Sequence, residues 1–98
     1  MKTVTVEELK KIIANKEDFK LIDVREENEF EADNIDGHLI PLGEIPNRID
    51  EIPKDKKVVV HCRSGVRSAN AIHFLEQNGY DNLYNLEGGI LAWNQVNN

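Results

Sequence analysis

Cys62 is the one cysteine of the chain, and it opens the run Cys62-Arg63-Ser64-Gly65-Val66-Arg67-Ser68. A thiol, two guanidinium groups, two hydroxyls and a glycine so close together suit a nucleophile held beside an anion. The apolar run Val58-Val59-Val60, ending at His61, reads as a buried strand directly before the cysteine. The residues from about Ser68 to Asn78 read as a helix directly after the loop. A helix start offers free backbone N–H groups and the positive end of a dipole. A cysteine placed there tends toward thiolate, the nucleophilic form. The amides of residues 63 to 67 are expected to point inward as an anion nest, with Arg63 and Arg67 adding positive potential. A core cysteine that acts only as a small apolar side chain would explain Cys62 alone. It would not explain a glycine and two arginines in the next five residues.

Two chemistries use such a loop: phosphoryl transfer to cysteine and transfer of sulfane sulfur. Protein tyrosine phosphatases place five residues between their cysteine and arginine. Four separate Cys62 from Arg67. The tighter loop suits one sulfur atom on Cys62 better than a tetrahedral phosphate.

The remaining elements must position this loop. Thr5 and Glu8 form a capping box, and Val4 and Leu9 have the spacing of a hydrophobic staple. Val6, Leu9, Ile12 and Ile13 give the stripe of a first helix that ends near Asn15. Leu21 to Val24 reads as a buried strand, and Arg25 to Asp33 as an acidic helical turn anchored by Phe30. Gly37 to Ile40 reads as a turn and brief strand. Ile45, Ile49 and Ile52 suggest one short helix stopped at Pro53. The helix after the loop closes at Asn78-Gly79, a C-cap signal. Leu83 to Asn85 is a last short strand, and Gly88-Gly89 opens a final helix. Thr3-Val4 is an edge strand. Alternating strands and helices give an α/β domain with a mostly parallel sheet. Ligands of such sheets sit beyond the carboxyl ends of the strands. Cys62, Asp23, Arg25, Gly88 and Gly89 all fall at such ends.

The 98 residues, 40% apolar and 31% charged, make one domain over residues 1–98. A single cysteine allows no internal disulfide, and the three histidines are scattered, so no metal site is expected. The net charge of −6 argues against nucleic acid and anionic membranes as partners. No apolar run has the length of a signal peptide or membrane span, so a cytoplasmic location is expected.

Cys62 to Ser68 resembles the active-site loop of rhodanese-like sulfurtransferases. Leu21-Ile22-Asp23-Val24-Arg25 with Glu29-Phe30 looks like the first signature of that family. Gly37-His38-Leu39-Ile40 with Ile45-Pro46 looks like its middle element, and Leu86-Glu87-Gly88-Gly89 with Ala92-Trp93 like its closing motif. The ordered set runs across nearly the whole chain. The resemblance implies a rhodanese-like three-layer α/β/α domain with a small five-stranded sheet. It implies that Cys62 takes sulfur from a donor (thiosulfate or a persulfide), holds it as a persulfide, and passes it to cyanide in vitro or to a thiol in the cell. Arg63, Ser64, Gly65, Val66 and Arg67 would cradle that sulfur, with Asp23, Arg25, Ser68, Gly88 and Gly89 in support. No cofactor is implied, and the chain would act as a monomer or weak homodimer. The two-domain thiosulfate-specialised enzymes carry lysine at the position of Ser64, threonine at that of Arg67 and arginine at that of Glu29, so this site is differently charged. The alternatives are a cysteine-dependent phosphatase or arsenate reductase, or a low-turnover persulfide carrier.

Outside the loop, His61 is expected to point away from Cys62 by strand alternation, and His38 to hold its turn. Asp23 and Arg25 are expected to pair internally, and Gly88-Gly89 to allow close backbone approach. Trp93 is expected as a core or groove-closing aromatic. The cluster Glu26, Glu27, Glu29, Glu31 and Asp33 is a solvated face or a docking surface for a basic sulfur-acceptor protein.

Overall fold

The computed structural model describes residues 1–97, so the last residue of the expected 1–98 domain lies outside it. Five strands form one sheet: β1 (Thr3–Val4), β2 (Phe19–Asp23), β3 (His38–Leu39), β4 (Lys57–His61) and β5 (Leu83–Leu86). Their order is β1-β5-β4-β2-β3, and every pairing is parallel. The sheet is thus wholly rather than mostly parallel. The most apolar strand, β4, lies at its centre, as a strand buried on both faces should.

Alternation along β4 divides the core in two. Val58 and Val60 pack with Ile22, Ile72, Leu75 and Leu83 on the face covered by α3 (Val66–Gln77), and Cys62 belongs to that cluster. Val59 packs with Leu21, Leu9 and Leu86 on the face covered by α1 (Val6–Ala14) and α4 (Gly89–Asn97), where Trp93 joins it. Three layers result, α/β/α. Each fully buried aliphatic side chain contributes about 1.5–3 kcal/mol.

The first helix starts where its cap places it. The Glu8 amide donates to Thr5 Oγ1 at 3.1 Å, and the Thr5 amide to Glu8 Oε1 at 2.9 Å. Val4 and Leu9 share one core cluster, as the staple requires. Two segments differ from the sequence reading. The stretch with Ile45, Ile49 and Ile52 is not one helix but two 3₁₀ segments, Leu42–Asn47 and Ile49–Glu51. Pro46 lies inside the first and has no N–H to give, and Arg48 between them has φ −127°, outside helical geometry. Ile45 and Ile52 still reach the core. The helix after the cysteine loop begins at Val66, two residues before the expected Ser68, because Gly65 takes φ +114° and turns the chain straight into it. Among the described residues, no helix is long and apolar enough to cross a membrane.

Candidate active site

Cys62 follows β4 directly and is 1% exposed. The Gly65 amide donates to its sulfur at 3.0 Å, and Ser68 Oγ lies 3.3 Å from it. The sulfur therefore lies over the first turn of a twelve-residue helix, within reach of its dipole. Burial is the strongest single influence on the thiol and pushes its pKa up. The Ser68 hydroxyl and the amides of Ser68, Gly65 and Ser64 act together against burial and leave the pKa below its ordinary value. Of the amides expected to face the sulfur, those of Ser64 and Gly65 do so, and Ser68 joins them from beyond the expected range.

The loop is held from behind by α4. The Ile90 amide donates to the Cys62 carbonyl at 3.0 Å, and the Leu91 amide to the Arg63 carbonyl at 3.1 Å. Gly89, at φ +59°, makes that approach possible. A Cβ there would come within 2.6 Å of the Cys62 carbonyl oxygen and closer still to that of Arg63. The expected close approach at Gly88-Gly89 is thus between α4 and the active loop.

Arg67 does not stand as a free cation beside the sulfur. Its Nη1 and Nη2 donate to Glu29 Oε1 and Oε2 at 2.6 and 2.9 Å. Glu29 lies on α2 (Glu27–Ala32). The Arg67 guanidinium holds the Glu29 carboxyl at about 2, and Glu29 raises the pKa of Arg67 in return. The Cys62 charge also raises the pKa of Arg67, so the guanidinium lies within electrostatic reach of the sulfur. The expectation that two arginines add positive potential is therefore corrected: Glu29 offsets one of them. The side chains of Arg63, Ser64 and Val66 are exposed around the loop.

Asp23 and Arg25 reach the expected edge of the sheet but not the sulfur. Arg25 pairs with Asp23 at 2.8 Å in full burial. Its Nη2 also donates to the Asp33 carbonyl at 2.7 Å, fastening the end of α2. That helix in turn presents Glu29 to Arg67, so the Asp23–Arg25 pair braces the site from a distance. His61, opposite Asp23 in the sheet register, places Nδ1 3.3 Å from the Cys62 carbonyl and Nε2 3.5 Å from Asp23 Oδ2. The longer contact lacks hydrogen-bond geometry, and Nε2 has no hydrogen-bond partner among the described residues. Burial lowers the pKa of His61, the Asp23 carboxylate opposing it, and its ring hydrogen-bonds the Cys62 carbonyl rather than the sulfur. His38 bonds Glu51 at 2.8 Å and so ties its turn to the second 3₁₀ segment.

One site residue escaped the sequence reading. Asn85 on β5 accepts from Ser68 Oγ at 2.6 Å and donates to the Gly65 carbonyl at 3.1 Å. Its signal was available: Leu83 and Asn85 alternate onto the same face of a buried strand, and a buried amide needs partners.

The chain is similar to known proteins in sequence and in fold. The Rhodanese-like domain family model matches residues 5–96. A protein named "Sulfurtransferase" from Allochromatium vinosum is 46% identical over 88 residues, which cover 89% of this chain and 82% of that protein. The "Putative sulfurtransferase YtwF" of Bacillus subtilis is 38% identical, with 95% and 90% covered. The crystal structure of a rhodanese-like domain protein from Staphylococcus aureus superposes with a TM-score of 0.88 at 36% identity, over 95% of this chain and 91% of that one. The match takes in the cysteine loop, the strand that carries it and the glycine pair that lets α4 meet it; the chain belongs to the rhodanese-like domain family.

Proposed function

We propose that this protein is a sulfurtransferase that carries sulfane sulfur as a persulfide on Cys62. The observation that supports it best is the Cys62 sulfur held by the Gly65 amide and the Ser68 hydroxyl at the start of α3. In the first step the Cys62 thiolate attacks the outer sulfur of a donor, thiosulfate or a persulfide. A sulfur–sulfur bond forms to Cys62, and the donor's own bond breaks. Its electron pair leaves with sulfite or a thiolate. In the second step an acceptor nucleophile, cyanide in vitro or a thiol, attacks the carried sulfur and releases the Cys62 thiolate. This is covalent catalysis in two steps. The same amides serve both anions, because the negative charge of thiolate and persulfide falls in one cradle.

Incubation with thiosulfate followed by intact mass should show a gain of one sulfur atom, and cyanide should then yield thiocyanate. Cys62→Ser should do neither. Full activity in Cys62→Ser would overturn the mechanism. Hydrolysis of an aryl phosphate that depends on Cys62 would assign the loop to phosphoryl chemistry instead.

A further inference from the structure

Asn85 pairs in register with Val60 on β4, the strand that leads into Cys62. Its side chain closes a ring of hydrogen bonds around the sulfur. Nδ2 donates to the Gly65 carbonyl at 3.1 Å, and Oδ1 accepts from Ser68 Oγ at 2.6 Å. Ser68 Oγ lies 3.3 Å from Cys62 Sγ, and the Gly65 N–H donates to Sγ at 3.0 Å. The ring places its own protons. A carbonyl only accepts, so the Asn85 atom facing Gly65 is the NH₂ group and the other is Oδ1. Oδ1 also only accepts, so the single proton of Ser68 lies between Ser68 and Asn85. Ser68 then turns lone pairs toward the sulfur. The proton between Sγ and Oγ belongs to the Cys62 thiol. A sulfur anion would meet those lone pairs unless the Ser68 proton turned to it, which is the donation by which the hydroxyl favours the thiolate.

We propose that Asn85 keeps Cys62 a thiol at rest by holding the Ser68 proton, and that the Ser68 hydroxyl turns from Asn85 to the sulfur when Cys62 becomes a thiolate or persulfide anion. The thiol proton leaves to solvent, and only hydrogen bonds are exchanged within the ring. Asn85 is a positioning residue that acts on the sulfur through Ser68. The inference rests on Cys62 being the sulfur carrier.

Charged and titratable groups surround the ring, Arg67 within electrostatic reach of the sulfur. Arg67 on α3 is paired with Glu29 on α2. His61 on β4 meets the Cys62 carbonyl, with Asp23 and Arg25 of the β2 edge beyond it. The Arg63 side chain is exposed. None of these side chains hydrogen-bonds Ser68 or Asn85 among the described contacts, so all are common to the comparisons below.

The test is a double-mutant cycle on the Cys62 thiol pKa, read from the pH dependence of iodoacetamide alkylation. With one cysteine in the chain the signal has a single source. Asn85→Ala should lower that pKa by about half to one pH unit, the size of one neutral hydrogen bond no longer competed for. In a Ser68→Ala background the same substitution should leave the pKa unchanged or raise it, since what is then lost is the anchor on Gly65 and a weak contact of Nδ2 with Met1 Sδ at 3.8 Å, neither of which touches the sulfur. Asn85→Val repeats the test with a strand-favouring side chain, should alanine weaken β5. In the unaltered protein the S–H stretch should lie on the low-frequency side of a free thiol, and Ser68→Ala should return it to the free value. An equal shift in both backgrounds, a rise with Ser68 present, or a free-thiol band in the unaltered protein would each overturn the proposal. Failure of the unaltered protein to gain sulfur from a donor would remove the carrier reading instead, while the thiol cycle would still report on the ring.

Discussion

Replacing Glu29 with glutamine should make the protein better at using thiosulfate. The reasoning starts from the bidentate contact of 2.6 and 2.9 Å that ties Arg67 to Glu29. Together the two side chains present no net charge to a donor approaching Cys62. Glutamine keeps the shape and can still accept from the Glu26 amide, which donates to Glu29 Oε1 at 3.0 Å. It removes the negative charge, so the always-protonated Arg67 faces the site with its charge uncompensated. One charge acting on one anionic charge ~8 Å away, at an effective dielectric of ~40 for a half-exposed site, is worth about 1 kcal/mol. Thiosulfate carries two such charges, and salt screens part of the gain. The expected rise in kcat/KM is about five- to thirtyfold. A freed Arg67 would also lower the thiol pKa, so the measured quantity should be the ratio of kcat/KM for thiosulfate to that for an alkyl persulfide, in which the thiolate fraction cancels. The ratio should rise in Glu29→Gln and stay flat when Arg67→Ala is already present. An unchanged or smaller ratio, with the fold intact, would refute the idea that Glu29 limits anionic donors.

Three further outcomes follow from the same contacts. Glu29 is held at about 2 against 4.5 for a free carboxyl, so its contribution to stability is present above about 4.5 and lost as pH falls toward 2; being part-exposed it should amount to about 1 kcal/mol, and acid titration of the melting temperature should show a smaller drop in Glu29→Gln than in the unaltered protein. Gly89→Ala should cost about 1–3 kcal/mol in urea unfolding and lower sulfur transfer, because its Cβ meets the Cys62 carbonyl oxygen at 2.6 Å at a positive φ; unaltered unfolding and activity would show that α4 does not pin the loop. Arg25→Met should cost about 3–5 kcal/mol by leaving the buried Asp23 side chain without its partner, and a cost below 1 kcal/mol in chemical unfolding would show that Arg25 does not brace this edge of the sheet.

The parts of the site that the sequence disclosed are those in which one local cause decides the outcome. Thr5 and Glu8 fix a helix start within four residues, and the valine run of β4 can satisfy its burial only at the centre of a sheet. Gly65 and the helix after it made a sulfur cradle legible from a single stretch. The 3₁₀ break at Pro46 shows the limit of periodicity: isoleucines at helical spacing still serve the core, Ile45 and Ile52 within it and Ile49 packed against it, when a proline withholds an amide and the segment breaks into two short turns. Partners are a different matter, because spacing along the chain carries no information about contacts across the fold. Glu29 and Arg67 are 38 residues apart, and the sequence showed only an acidic residue where thiosulfate-specialised enzymes have a basic one. Read by itself, each charge pointed to a different conclusion: Arg67 to a cationic cradle, Glu29 to a site poor in cations. Paired, they define a third condition, a neutral ion pair beside the loop that one substitution can charge. Asn85 was missed for the same reason, since a lone asparagine in a short strand gains its meaning only from Ser68 and Gly65 across the sheet edge. The proposed nucleophile is therefore a property of one loop, whereas the contacts proposed to control its charge and its donor are distributed over α2, β5 and α3, and only their convergence near Cys62 makes them visible.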